Sequence, residues 1–267
     1  MDMPRNEVRT PRFDQYSTAK YLEHAAEQAR RRNYDDFLIV DVDSHHYEQE
    51  HFKDILPFME NDVFKQLAMS ASQKGRGSFV PQNIGYQDMG GRVTRYPMRS
   101  SEKTGEGKHR DVQLGLRWMD AMGVDYACLF PTGMLNIGLH PQKEMEVQLC
   151  WAYNRWLTEK VLPESDGRIY SALCLPFSDP DESLRHVETF GDRKGVTGFM
   201  VTTVRHLPVY DNAFMKVYRA MEERGLASPS TRDRTGATTR SSPATASCRR
   251  TRSASPGTTS CTSPTGW

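Results

Sequence analysis

Apolar and polar positions along this chain repeat with two periods in turn. Residues 17–34, STAKYLEHAAEQARRRNY, begin at a serine, are rich in strong helix formers and set Tyr21, Leu22 and Ala25 to one side, which predicts a surface helix. The run 37–43, FLIVDVD, is short, apolar and β-branched and ends in polar residues, as a buried parallel strand does when it carries chemistry at its C-terminal end. Residues 52–70 read as helical. From Asp111 the rhythm becomes regular: an amphipathic helix closed by Gly123, a strand over 124–132, a long helix over 144–162 and a strand over 169–177. A helix over 181–192, a strand over 196–204 and a helix over 212–225, capped by Asn212, complete the series. Strands separated by single helices predict an α/β chain with a parallel sheet of about four βα units. An open doubly wound sheet and an unfinished barrel both fit that pattern.

Two segments fall outside the rhythm. Residues 71–110 contain seven Gly and eight Lys or Arg without sustained periodicity, which marks a loop insertion, either over a site or merely solvated. Residues 227–267 contain 10 Thr, 9 Ser and 6 Arg but no Leu, Ile, Val, Met, Phe or Tyr. Such a stretch has almost nothing to bury against the entropy of ordering, so it is expected to be disordered, with folding confined to the residues before it. The expected division is an N-terminal helical extension (1–36), a partial barrel (37–226) and a tail (227–267).

Composition narrows the function classes. With 267 residues and a net charge of +1, the tail's six Arg and one Asp leave about −4 for the first 226 residues, so a basic nucleic-acid face is not expected. No apolar run reaches bilayer length, and the polar opening MDMPRNEVRTPRFD is not a secretory signal, so no membrane partner and a cytoplasmic location are expected. Cys128, Cys150, Cys174, Cys248 and Cys261 lack CxxC spacing, which indicates neither a disulfide framework nor a zinc ribbon. Cys128 and Cys174 fall within strands and read as small core residues, while Trp118, Trp151 and Trp156 read as packing of the helix layer.

The densest chemistry is DVDSHHYEQEH, 41–51, behind the first strand. Alternation puts Asp41, Asp43 and His45 on one face, so Asp43 and His45 can converge on one cation while Val42 and Ser44 face the helix layer. A carboxylate and an imidazole suit a divalent metal, zinc foremost. The bland alternative is a polar strand end that caps its loop. Glu48 is a candidate for orienting a ligand or touching substrate, and His140, on the loop after the second strand, for substrate contact. His46 is expected to point away, Lys194 to be solvated, and His186 and His206 to lie at the surface or in loops.

DVDSHHYE, MGVDYACLFPTG, YSALCLPFSDPDESLRHVETF, KGVTGFMVTTV and PVYDNAFMKVYRAMEERGL, within 37–226, resemble the amidohydrolase superfamily, specifically the amidohydrolase-related branch that includes carboxymuconate-semialdehyde and hydroxybenzoate decarboxylases. The resemblance implies a partial TIM (β/α)8-type barrel. It also implies a divalent metal held by an HxH-type pair after strand one, a His after strand five and an Asp after strand eight. Asp43 takes the place of the first His and His45 matches the second; the absence of Lys at Thr202 and Thr203 favours a single metal. Strand five should follow Leu226, where the unusual tail begins, and a tail of this composition at this point is most simply an out-of-frame translation of GC-rich coding DNA; a genuine disordered linker is the rival. The implied function is a metal-dependent hydrolase of a small amide, ester or ring carbonyl. The alternatives are a decarboxylase of an aromatic or unsaturated acid and a catalytically incompetent truncated product. A small-molecule substrate is expected, and a homo-oligomer is left open.

Overall fold

Glycine and aspartate set several of the element boundaries. The computed structural model describes residues 18–46, 48, 52–73, 107–202 and 207–231. Most of the 71–110 insertion, the tail beyond 231, His51 and His206 lie outside the described residues. Helix α1 (Thr18–Arg31) matches the predicted surface helix and packs on α4. The short α2 (Phe52–Ile55) and α3 (Asp62–Gln73) follow the first strand. In α4 (Arg110–Met122) the His109 ring accepts the Asp111 N–H, and Gly123, at φ 68°, closes the helix by donating to the Met119 carbonyl, a backbone state that favours glycine. Helix α5 (Lys143–Trp156) is shorter than predicted because its last turn widens into a π-helical segment, Leu157–Val161, beside which the Thr158 hydroxyl bonds the Asn154 carbonyl at 2.8 Å. Asp179 caps α6 (Pro180–Phe190). Asp211, rather than the predicted Asn212, caps the turn before α7 (Met215–Glu223), because its carboxylate is the one placed to accept the Ala213 N–H.

The strands are β1 (Val40–His46), β2 (Tyr126–Pro131), β3 (Ile169–Cys174), β4 (Val196–Thr202) and β5 (Ser230–Thr231). All neighbours are parallel, in the order β1-β2-β3-β4-β5. A doubly wound sheet must reverse its order at a switch point, and this one does not, so the strands form an arc of the barrel type. The molecule is thus α/β with a partial-barrel sheet.

Three further expectations need correction. β1 runs three residues later than predicted, leaving Phe37 and Leu38 exposed before it and moving Asp43 and His45 inside the strand. Val42 does not face the helix layer; it is 70% exposed. The fold also does not stop at Leu226. Ala227 N–H donates to Thr197 C=O, Phe199 N–H to Ala227 C=O and Val201 N–H to Pro229 C=O, each at 3.0 Å, so the first tail residues form a fifth strand. Composition misleads here because a parallel ladder is made by backbone groups, which Ser and Thr supply as well as Val. Gly198 permits the close approach, since a Cβ there would collide with the Ala227 carbonyl.

The core lies between the sheet and α4, α5 and α6, where Tyr153, Trp156, Phe177, Phe190, Phe199 and Phe214 are fully buried. Phe177 stacks on Phe214 at 4.4 Å, fixing the start of α7 against the C-terminal end of β3. No helix among the described residues is long and apolar enough to cross a membrane.

Candidate functional site

The second half of β1 is shaped by Asp41. Its carboxylate accepts the Asp43 N–H at 3.1 Å and the Ser44 O–H at 2.7 Å. Between the pairs Asp41↔Ala127 and Ser44↔Leu129, β1 advances three residues while β2 advances two, so one residue of β1 bulges out. The bulge turns Val42 and Asp43 outward and returns Ser44 to the interior, where it lines a small cavity together with Val112, Gly115 and Trp118 of α4.

Beyond the bulge the two predicted metal ligands do come together. His45 Nε2 lies 3.3 Å from Asp43 Oδ1, with the imidazole largely covered and the carboxylate 80% exposed. On its other side, His45 Nδ1 lies 3.3 Å from Thr132 Oγ1, and the ring packs at 5.9 Å from Phe130 of β2. His46 points the opposite way, as expected: it is buried, bonds the Tyr153 hydroxyl at 2.7 Å and stacks on Trp156.

Glu48 and His140 occupy the two ends of one 3₁₀ turn, Gly133–Leu139, just after β2. Glu48 is fully buried, and its Oε1 accepts the Met134 N–H at 2.6 Å. Burial pushes its acid up to about 7, against the pull of backbone N–H groups at the start of the turn. Its Oε2 has no hydrogen-bond partner among the described residues. His140 closes the turn, and its Nδ1 accepts the Gln142 N–H at 3.1 Å. The structure therefore gives both residues a backbone-holding place at the C-terminal end of β1 and β2. It does not gather them with Asp43 and His45: among the described residues no three His, Cys, Asp or Glu side chains cluster closely enough to hold a metal ion. One carboxylate oxygen and one imidazole nitrogen suit a borderline divalent cation in kind, but such a site uses three or four protein ligands.

A second set of polar side chains is buried between α5, β3 and α6. His186 is not at the surface, as predicted, but fully buried; Ser183, His186, Val187 and Phe190 form the inner face of α6, a helical spacing visible in the sequence. Its Nδ1 accepts from Asn154 Nδ2 at 3.0 Å, and burial, aided by the Arg185 charge, lowers its pKa to about 3. Asn154 also accepts the Cys174 N–H and donates to the Cys174 carbonyl, both at 2.9 Å. Glu146, which the sequence reading missed, is buried with its acid raised to about 7 and accepts the Ser178 N–H at 3.3 Å. Cys174 is buried as expected, Cys128 is half-buried and bonds Thr197 Oγ1 at 3.4 Å, and Lys194 is exposed.

No family model and no curated protein matches the chain. Among solved structures it is similar to an amidohydrolase II (TM-score 0.42, 16% identity, covering 70% of this chain and 47% of that one). It is also similar to a 2,6-dihydroxybenzoate decarboxylase complexed with 2,6-dihydroxybenzoate (TM-score 0.36, 20% identity, 50% of this chain and 42% of that one). A third likeness is to the 2,6-dihydroxybenzoate decarboxylase from Rhizobium (TM-score 0.39, 14% identity, 76% of this chain and 52% of that one). The chain spans about half the length of each of these structures.

Proposed function

We propose that Asp43 and His45 are two ligands of a mononuclear divalent metal site, zinc foremost, and that the chain carries the first part of a metal-dependent hydrolase acting on a small amide, ester or ring carbonyl. The observation that carries this reading is the 3.3 Å approach of His45 Nε2 to Asp43 Oδ1 at the C-terminal end of β1, the end at which barrel enzymes place their sites. A bound divalent ion supplies Lewis acidity and a water of lowered pKa. Asp43 and His45 hold it, and the Asp41-clamped bulge turns the Asp43 carboxylate outward. Glu48 and His140 fix the two ends of the turn behind the pair, from which a substrate contact would come. Free thiols at Cys128, Cys150 and Cys174 suit a reducing compartment such as the cytoplasm.

The decarboxylase reading uses the same ligands with a substrate carboxylate anchored in place of an attacking water, and a substrate panel separates the two. A catalytically incompetent chain is the third reading, and the same panel separates it, since such a chain turns over no substrate. Calorimetric zinc titration of the chain and of its Asp43→Asn and His45→Gln variants tests the ligand assignment. Each substitution should weaken binding by at least about tenfold, a loss of about 1.4 kcal/mol or more. Unchanged affinity in both variants would contradict it.

A further inference from the structure

We propose that two copies of this chain associate through the open edge of β1, which pairs antiparallel with β1 of the second copy about a two-fold axis through Val40. β1 ends the sheet on one side and has only β2 beside it among the described residues. The backbone shows which residues face the open side. Ile39 spends both of its groups towards β2: its N–H donates to the Asp125 carboxylate at 2.8 Å, and its C=O accepts the N–H of Asp125 and of Tyr126. Successive residues of an extended chain turn their N–H and C=O to opposite edges, so Leu38, Val40 and Val42 present theirs to the open edge. The same three side chains share one face at alternate positions, and they are exposed by 68%, 47% and 70%.

That spacing is self-complementary. With the axis through Val40, this residue faces Val40 of the second copy, and Leu38 faces Val42. Backbone groups meet at all three positions, and each exposed apolar side chain covers another. On the opposite face Asp41 lies across from Ile39. Charge selects this register over its neighbours. An axis through Asp41 would set that carboxylate against its own copy, an axis through Val42 would set Asp41 against Asp43, and an axis through Ile39 would put Asp36 across from Val42; like charges directly opposite one another destabilise a sheet. The bulge that begins after Asp41 ends the pairing at Val42, and the two-fold axis uses the β1 edge of both copies, so association through this edge stops at a dimer. So short a contact holds the copies together at high concentration only.

The test is sedimentation equilibrium of the full-length chain over a range of concentrations, beside Val40→Lys, Val40→Glu and an equimolar mixture of the two variants. The parent should pass from monomer to dimer. Either variant alone loses the central valine pair and places like charges on the axis, which should weaken association by about tenfold. The mixture should restore it, because lysine and glutamate then face each other. Hydrogen exchange of the unaltered chain gives a second readout that needs no variant to fold: the Val40 amide should be protected more strongly as concentration rises, while that of Ile39, already bonded to Asp125, should not change. A parent that stays monomeric with Val40 exchange independent of concentration overturns the proposal. So does a Val40→Lys variant that dimerises as the parent does, or a mixture of folded variants that fails to associate.

Discussion

Asp41 spends its carboxylate on its own strand, and that choice leaves Asp43 pointing outward beside His45. Of the side chains singled out in the sequence, the nearness of Asp43 and His45 was legible because residues i and i+2 of a strand share a face, but the bulge that sets their direction was not. Thr132 was not, since it reaches His45 only through the pairing of two strands 86 residues apart along the chain, the separation of Asp41 and Ala127. Glu146 and His186 were hidden for the same reason: what covers them comes from other elements. These two titrate in opposite senses. The Glu146 acid rises from 4.5 to about 7 on folding, so its protonated form stabilises the fold fully below pH 4.5 and that contribution is lost as pH rises through about 7. His186 falls from 6.5 to about 3, so its contribution is full above pH 6.5 and is lost as pH falls through about 3. A rise of the size seen at Glu146 corresponds to about 3 kcal/mol. Glu146→Gln is therefore expected to be more stable than the parent at about pH 8 and to show a shallower decline from about pH 5. Denaturant melts across that range check this, and parallel pH profiles would count against it.

At the scale of elements, β2, β3, β4 and the helices between them are readable from their apolar periodicity, helped by a glycine or a capping aspartate at some boundaries, as at Gly123 and Asp179. β1 was misplaced because its apolar start, Phe37 and Leu38, is exposed while its polar end forms the ladder. β5 was invisible because a two-residue ladder of Ser and Thr carries no apolar signal. The tie between α5 and β3 left no mark in the sequence either: Asn154 serves the N–H and C=O of Cys174 as a neighbouring strand would. Asn154→Ala orphans both buried backbone groups, each worth about 1–3 kcal/mol, and removes the partner of His186. Chemical denaturation should show a loss of several kcal/mol, whereas a loss below about 1 kcal/mol would mean that the tie is dispensable.

For the whole molecule, sequential parallel order makes the sheet an open arc in which β1 has a strand on one side only among the described residues. Its Val40 and Val42 are exposed beside that open edge, an arrangement that invites edge-to-edge association. Val42→Lys should leave unfolding within about 0.5 kcal/mol of the parent and reduce light scattering at high concentration. Unchanged scattering would show that β1 is not the sticky edge. If Asp43 and His45 form a cation site at this end of the arc, manganese(II) bound there broadens nearby backbone amides by its paramagnetism. The expected result is selective broadening of residues 43–46 and 132–134 that disappears when Asp43→Asn and His45→Gln are combined. Broadening centred elsewhere, or surviving the double substitution, would contradict the claim.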